Sequence, residues 1–315
     1  MRILLTGASS FTGAWFAATL AGDGHDVVGT LQGKAADYPD LERRRIALLL
    51  GAGVKLVEAA SYGSAAMLDL AGQGFDRLCF HASDVRDYRS ADFDLGRAVS
   101  ANLTGMRATC LAAKAAGTGR MVWTGTVFEP GAARGDQLDQ AITPYGLSKW
   151  LSWQALEFYA AEAGLALGKF IVPNPFGPLE QERFCTYLVK TWISNSAPEV
   201  RTPDFVRDNI PVDQLARAYA DFTALEPGMA QAQLCGPSGY AESQGDFTAR
   251  FAREIGSRLN IPVPFKLAKQ IDFSEPMRRI GLGGVETVWD ETNFWDRLAR
   301  DYAERLMPPR ASHLD

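Results

Sequence analysis

Met1-Arg2-Ile3-Leu4-Leu5-Thr6-Gly7-Ala8-Ser9-Ser10-Phe11-Thr12-Gly13 opens the chain, and its reading decides the fold. An apolar run ends in a glycine-rich turn, and residues 14–21 then carry a helical pattern. Gly7 permits a tight turn out of a strand, and Gly13 lets the following helix pack close to a sheet. The N-terminus of that helix presents free N–H groups and a partial positive charge, which suits a pyrophosphate. Ser10 stands where the usual pattern has its middle glycine; it still allows close backbone approach and adds a hydroxyl donor. Between a first strand and a first helix, the turn predicts a seat for NAD or NADP made by Gly7, Ser9, Ser10, Phe11, Thr12 and Gly13.

Outward from the turn, strand-like runs at 26–31, 54–57, 77–81 and 120–124 alternate with helix-like segments at 40–50, 64–72 and 93–116. That alternation predicts a doubly wound, Rossmann-like α/β fold, a parallel sheet covered on both faces. The pattern changes after Lys169. Pro173, Pro175 and Pro178 punctuate one loop, and a strand at 231–235 and a helix at 247–259 follow without regular alternation. A dinucleotide-binding domain is expected over 1–172 with returning segments near 205–237. A smaller mixed C-terminal domain, for substrate, is expected over 173–204 and 238–315. The chain should rejoin the sheet near 209–212 and 233–235.

Composition narrows the function. The chain has 315 residues, 47% hydrophobic and 22% charged, enough to bury roughly three quarters of its unfolded surface without a disulfide or metal staple. A net charge of -5 argues against a broad nucleic-acid surface. The basic run Arg43, Arg44 and Arg45 reads as a solvated helix face. Cys79, Cys110, Cys185 and Cys235 are far apart, and the chain has three histidines. This predicts no metal site and four reduced thiols in a cytoplasmic protein. No apolar stretch reaches membrane-spanning length, and the glycine turn interrupts the N-terminal run too early for a signal peptide.

A second motif carries chemistry. In Thr143-Pro144-Tyr145-Gly146-Leu147-Ser148-Lys149, a threonine cap and a first-turn proline start a helix, and Tyr145 and Lys149 fall four apart on one face. The ammonium is expected to lower the phenol from its ordinary value of about 10, so that Tyr145 serves as acid or base near neutrality. Lys149 can also hold the nicotinamide ribose. Doubly wound sheets hold ligands at the C-terminal ends of their strands. Thr124 or Thr126, at the end of the fifth strand, is therefore expected to bond a substrate oxygen beside Tyr145. The second strand ends in Thr30-Leu31-Gln32-Gly33-Lys34, with no carboxylate for a ribose 2′-hydroxyl. Lys34 and Arg43 either neutralise a 2′-phosphate or are solvated, so NAD and NADP both stay open.

Together these motifs resemble the extended short-chain dehydrogenase/reductase family, its NAD-dependent epimerase/dehydratase group, over nearly the whole chain. Phe80-His81-Ala82 looks like its fourth-strand His-x-Ala, and Asn102-Leu103-Thr104-Gly105 like its helix asparagine motif. Asn174-Pro175-Phe176-Gly177-Pro178 resembles its Asn-x-Tyr-Gly-Pro loop, and Arg207-Asp208-Asn209-Ile210-Pro211-Val212-Asp213 its Arg-Asp-Phe-x-x-Val-x-Asp segment. The resemblance implies that His81, Ala82 and Asn102 face the cofactor. It implies Thr124, Tyr145 and Lys149 as the catalytic set, Asn174 at the sugar or its phosphates, and Arg207 on the diphosphate. Arg86 and Arg89, in the loop after the fourth strand, are weaker substrate candidates. It further implies a nucleotide-sugar substrate, hydride passage at the sugar C4, and a homodimer through the helices at 93–116 and 145–163, where Trp150, Trp153, Phe158 and Tyr159 lie.

Three departures matter. Leu31 stands where NAD-using members often carry aspartate, and Ala59-Ala60 where an aspartate usually meets adenine. The turn after Thr124 lacks the Asp-Glu pair of sugar 4,6-dehydratases, which disfavours dehydration. A 4-epimerase and a 4-ketoreductase both remain. A reductase of small aldehydes or ketones is a further reading, against which Asn174 and Arg207 speak. So is a non-catalytic NAD(P)-sensing regulator, against which the set Thr124, Tyr145 and Lys149 speaks.

Overall fold

In the computed structural model, which describes residues 1–136, 139–226, 232–283 and 287–307, the chain begins with β1 (Arg2–Leu5), α1 (Phe11–Gly22), β2 (Asp26–Thr30), α2 (Asp40–Gly51) and β3 (Lys55–Val57). It continues through α3 (Ala65–Ala71), β4 (Arg77–Phe80), α4 (Leu95–Leu103), α5 (Met106–Ala115) and β5 (Arg120–Thr126). Next come β6 (Arg134–Gly135), α6 (Pro144–Ala163), β7 (Ala166–Val172), β8 (Asn174–Phe176), α7 (Phe184–Ile193), β9 (Glu199–Val200) and β10 (Val206–Pro211). The last elements are α8 (Val212–Ala224), β11 (Gln233–Cys235), β12 (Tyr240–Ser243), α9 (Gln244–Leu259), β13 (Lys266–Leu267), β14 (Arg278–Ile280) and α10 (Glu291–Leu306).

Seven strands form one parallel sheet in the order β11-β7-β5-β4-β1-β2-β3. Its inner strands β4 and β5 are buried along their whole length, the reason their sequences run apolar without alternation. On one face α1 and α8 pack together, with Phe16 stacked on Tyr219 at 3.9 Å between ring centroids. On the other, Phe80, Trp123, Trp153 and Leu156 join β4 and β5 to α6. Strand order reverses at β1 and β4, so the ligand crevice opens above their C-terminal ends. This is the Rossmann-like α/β architecture read from the alternation.

A second sheet is ordered β12-β10-β14-β6 with β8 also paired to β10; α9 packs on it and α10 packs on α9. Two details differ from expectation. Residues 209–212 do not rejoin the large sheet: β10 lies inside the second one, and the helix that follows it, α8, is what returns, to pack on α1. β11 does take the outer place beside β7, while residue 231 lies outside the described residues. The single helix expected over 93–116 is two, α4 and α5, broken at Gly105. Gly105 has φ +68, and a Cβ there would lie 2.6 Å from the Cα of Gly63. The break is made by this close approach of two backbones.

Candidate active site

The phosphate turn is built around absent side chains. Gly7 has φ +72, and a Cβ on it would lie 2.9 Å from the Cα of Ala82. A Cβ on Gly13 would lie 2.4 Å from the carbonyl oxygen of Gly7. Ser10 caps α1, its hydroxyl accepting from the Gly13 amide at 3.1 Å. The amides of Phe11 and Thr12 are left without an acceptor among the described residues. A turn with no room for Cβ atoms and two free amides at a helix N-terminus fits the pyrophosphate of a dinucleotide. Thr6 anchors it: its Oγ1 accepts from the amides of His81 and Ala82, both at 3.0 Å. The half-buried Tyr62, its hydroxyl 3.1 Å from Thr6 Oγ1, donates to the Ala82 carbonyl. Neither Thr6 nor Tyr62 was singled out by sequence.

His81 ties this turn to β5. Its Nε2 lies 3.0 Å from Ser10 Oγ and 3.2 Å from Thr12 Oγ1, and its Nδ1 lies 3.1 Å from Thr124 Oγ1. Burial, reinforced by the charge of Lys149, pushes the imidazole down to about 3. The ring is therefore neutral at physiological pH and organises the seat by hydrogen bonding alone.

At the adenosine end Leu31 is buried, and the Gln32 and Gly33 amides both donate to the Tyr38 hydroxyl, at 3.0 and 3.2 Å. Lys34 is exposed, and Arg43 lies 3.7 Å from Asp40. Glu58, just after β3, accepts from the Ala35 amide at 2.8 Å; it is a carboxylate near this end that the reading of Ala59-Ala60 passed over. Arg45 corrects the reading of its run as a solvated face, being 3% exposed. It donates to the carbonyls of Leu179 at 2.7 Å and Ser9 at 3.4 Å and to Gln181 Oε1 at 3.1 Å. Its neighbours Arg43 and Arg44 are exposed, so one arginine of the three reaches inward from α2 to bridge the phosphate turn and the proline-punctuated loop.

Tyr145 and Lys149, the pair expected to carry the chemistry, stand at the head of α6. Thr143 caps the helix, accepting from the Gly146 amide at 3.0 Å, with Pro144 in the first turn. Tyr145 sits among aromatic edges, 5.5 Å from Tyr88, 5.9 Å from Phe93 and 6.5 Å from Phe128 between centroids. Burial pushes its phenol upward, with Glu129 and Tyr88 adding to the effect and Arg183 opposing it. The expected lowering by Lys149 is overturned in this environment. The Lys149 ammonium, itself brought down to about 7 by burial, lies 4.0 Å from the Trp123 ring centroid. Thr126, at the end of β5, donates its amide to Glu129 Oε1 at 2.7 Å, and Glu129 Oε2 meets Lys169 Nζ at 2.6 Å with both side chains buried. Glu129 is thus a carboxylate of the turn after β5, but one locked in an ion pair beneath it.

The remaining expected residues divide. Asn102 is buried and fully used: its Oδ1 accepts from Ser83 Oγ and the Asp84 amide, and its Nδ2 donates to Ser152 Oγ, bracing the loop after β4 to α6. Arg86 is exposed and turned onto Asp84 at 2.9 Å. Asn174 is half-buried in β8, opposite Asn209 of β10. Arg207 is buried, and its guanidinium donates to the carbonyls of Val206, Pro276 and Met277 and to Glu275 at 3.1 Å. Arg279 is the arginine that sequence reading missed. It is 4% exposed, lies 4.0 Å over the Phe128 ring and reaches Glu275 at 3.4 Å. Its Nε and Nη1 have no partner among the described residues, and burial brings it down to about 10. An arginine buried in a strand was the available signal. A cleft of about 380 Å³ opens beside Tyr88, between residues 85–90 and 181–183.

The four cysteines are buried and free. Among the described residues, no group of three His, Cys, Asp or Glu side chains could hold a metal ion, and no helix is long and apolar enough to cross a membrane.

The model of the NAD dependent epimerase/dehydratase family matches residues 3–225. No curated protein matches the chain. Among solved structures it is similar to UDP-glucuronic acid 4-epimerase from Bacillus cereus, crystallised with UDP-glucuronic acid and NAD, at TM-score 0.75 and 16% identity over 96% of this chain and 99% of that one. UDP-glucose 4-epimerase from Thermus thermophilus, with NAD, gives TM-score 0.70 and 16% identity over 97% and 100%. The dTDP-glucose 4,6-dehydratase from Streptomyces venezuelae, with NAD bound, gives 0.73 and 18% over 97% and 98%. At such identities the likeness is one of fold.

Proposed function

The chain belongs to the NAD dependent epimerase/dehydratase family, and from that premise we propose that it is an NAD(P)-dependent enzyme acting at C4 of a nucleotide sugar, first as a 4-epimerase. The carrying observation is the junction at β5. His81 links the phosphate turn to Thr124 on this strand, and Tyr145 and Lys149 stand beside the strand's end at the head of α6. The nicotinamide, when bound, supplies the hydride acceptor and donor. Tyr145 takes the proton of the C4 hydroxyl as that carbon is oxidised and returns it on reduction. Thr124 or Thr126, both at the end of β5, holds the C4 oxygen. Lys149 holds the nicotinamide ribose.

Asn174 and Arg279 meet the sugar nucleotide, the planar guanidinium of Arg279 suiting phosphate or carboxylate oxygens. Residues 1–172 with 205–237 hold the cofactor in this reading, and 173–204 with 238–315 the substrate. Dehydration is disfavoured because Glu129, the carboxylate of the catalytic turn, is committed to Lys169. A second reading, 4-ketoreductase, is favoured by one observation: burial holds the Tyr145 phenol protonated, the form that delivers a proton to a keto oxygen. The assembly is a homodimer through α5 and α6.

The test is direct. Purified protein is analysed by mass spectrometry for retained NAD or NADP, then incubated with UDP-glucose, UDP-glucuronic acid and a dTDP-4-keto sugar with NADPH. Conversion of a UDP-sugar to its C4 epimer is expected, and Tyr145→Phe is expected to lower kcat by about 10²–10⁴-fold with the fold intact. A Tyr145→Phe protein with full turnover would overturn the assignment. Consumption of NADPH with the keto sugar, and no epimer, would establish the second reading instead.

A further inference from the structure

Beneath the catalytic turn lies a charge pair that the scheme above uses only to exclude dehydration. The side chains of Glu129 and Lys169 are 0% and 6% exposed, and their charges meet at 2.6 Å. Lys169 projects from β7, whose register places it opposite Trp123 of β5, and its ammonium lies 5.0 Å from the Trp153 ring centroid. Glu129 turns its other oxygen upward to the amide of Thr126 at 2.7 Å. The residue between the two threonines, Gly125, is shaped to this pair: a Cβ there would lie 2.7 Å from Glu129 Oε1 and 2.7 Å from Lys169 Cε. A buried ion pair is a poor source of stability, because desolvating both charges offsets most of their attraction. Yet this one is packed directly against the strand end that carries the chemistry.

We propose that Glu129 and Lys169 are positioning residues for proton transfer at Tyr145: the carboxylate pins the Thr126 amide, and the ammonium holds that carboxylate fixed under the turn. The proposal rests on the reading of Tyr145 as the acid/base. It has two consequences. The first is geometric: the strand-end threonine is held by a charged acceptor, a stronger bond than a neutral one. The second is electrostatic. The charged or titratable groups acting on Tyr145 are Glu129, Tyr88 and Arg183, and those acting on Lys149 are Glu129 and Lys169. Lys169 in turn bears on Glu157 of α6. A fixed negative charge at Glu129 resists ionisation of the phenol and favours the charged form of Lys149. It therefore keeps the proton on Tyr145 until substrate and cofactor arrive.

The test uses Glu129→Gln/Lys169→Met, which removes both charges while keeping an amide oxygen for Thr126 and much of the volume. With 3-fluorotyrosine at position 145, fluorine NMR follows the phenol in the full-length protein without any need for turnover. Its midpoint is expected to fall by about half a pH unit or more, roughly a threefold change in ionisation constant, and the acidic limb of the kcat profile should move the same way with KM unchanged. An unmoved midpoint overturns the electrostatic role. Glu129→Ala/Lys169→Met also deletes the bond to Thr126, and kcat is expected about tenfold below that of the first variant, again with KM unchanged. Equal kcat in the two variants overturns the pinning role. Should wild type turn over no nucleotide sugar, the functional reading fails on its own, and the fluorine titration still decides the electrostatic role of the pair.

Discussion

A single methyl group at Gly13 would have three collisions, at 2.4 Å with the Gly7 carbonyl oxygen, 2.7 Å with Ser10 Oγ and 2.9 Å with His81 Cδ2. All three belong to the seat itself, so the turn could relax only by opening. Gly13→Ala is expected to weaken NAD(P)H binding by about tenfold or more, roughly 1.4 kcal/mol, as read by quenching of intrinsic fluorescence on titration. Unchanged affinity would count against this turn as the seat. Residues of this kind were legible in sequence because their constraint is local: Gly7, Ser10 and Gly13 act within one turn, and Thr143 and Pro144 within another. Residues whose constraint arrives from elsewhere were not. Glu129 is explained by a lysine forty residues on, and Arg45 by the carbonyl of Leu179. The direction of the Tyr145 shift escaped for the same reason, since it is set by burial, with Glu129 and Tyr88 adding to it, rather than by the lysine four residues away.

Helices from both parts of the molecule converge on the loop after β8. Trp15 of α1 donates to the Pro178 carbonyl at 3.1 Å, and Arg45 of α2 to that of Leu179. Glu180, fully buried, accepts from the Tyr302 hydroxyl of α10 at 2.6 Å and from Thr186 of α7 at 3.2 Å. Burial raises its carboxyl to about 7 from an ordinary value of 4.5. Between those two values the native state keeps a proton that the unfolded chain has released, so this contribution to stability is full below about pH 4.5 and is lost as pH rises through 7. His81, whose folded value is depressed, pulls the other way between about pH 3 and 6.5. The clean measurement is therefore a difference. From pH 5 to 8 the wild type is expected to lose about 2–3 kcal/mol relative to Glu180→Gln, followed by denaturant melts at each pH; a constant gap would refute the assignment. At this scale the alternation of strands and helices was legible, because hydrophobic periodicity is carried by each segment. The break at Gly105 was not, because it is imposed by Gly63 across the surface.

The whole molecule presents an apolar face on the helices beside the catalytic pair. Leu111 of α5 and Leu151 and Phe158 of α6 are 41%, 37% and 68% exposed, while Trp153 of the same helix is buried in the core. The proposed homodimer buries that face. Phe158→Asp is expected to raise the dimer dissociation constant by about tenfold or more without changing the melting of the monomer, as seen by sedimentation velocity over a concentration series; a wild type that sediments as a monomer throughout would refute the dimer. The second sheet was not legible as such, because β6, β8, β10, β12 and β14 are short and drawn from across residues 134–280, and no local pattern announces which of them will pair.

The strand order also sets a timetable. β7 waits for its outer neighbour β11 until about sixty further residues have been made, roughly 3–12 s at the usual pace of translation. Throughout that interval the growing chain on the ribosome carries an open, bonding-competent sheet edge of seven residues, the kind of edge on which chains aggregate. Synthesis halted between β7 and β11 leaves this edge without its outer partner.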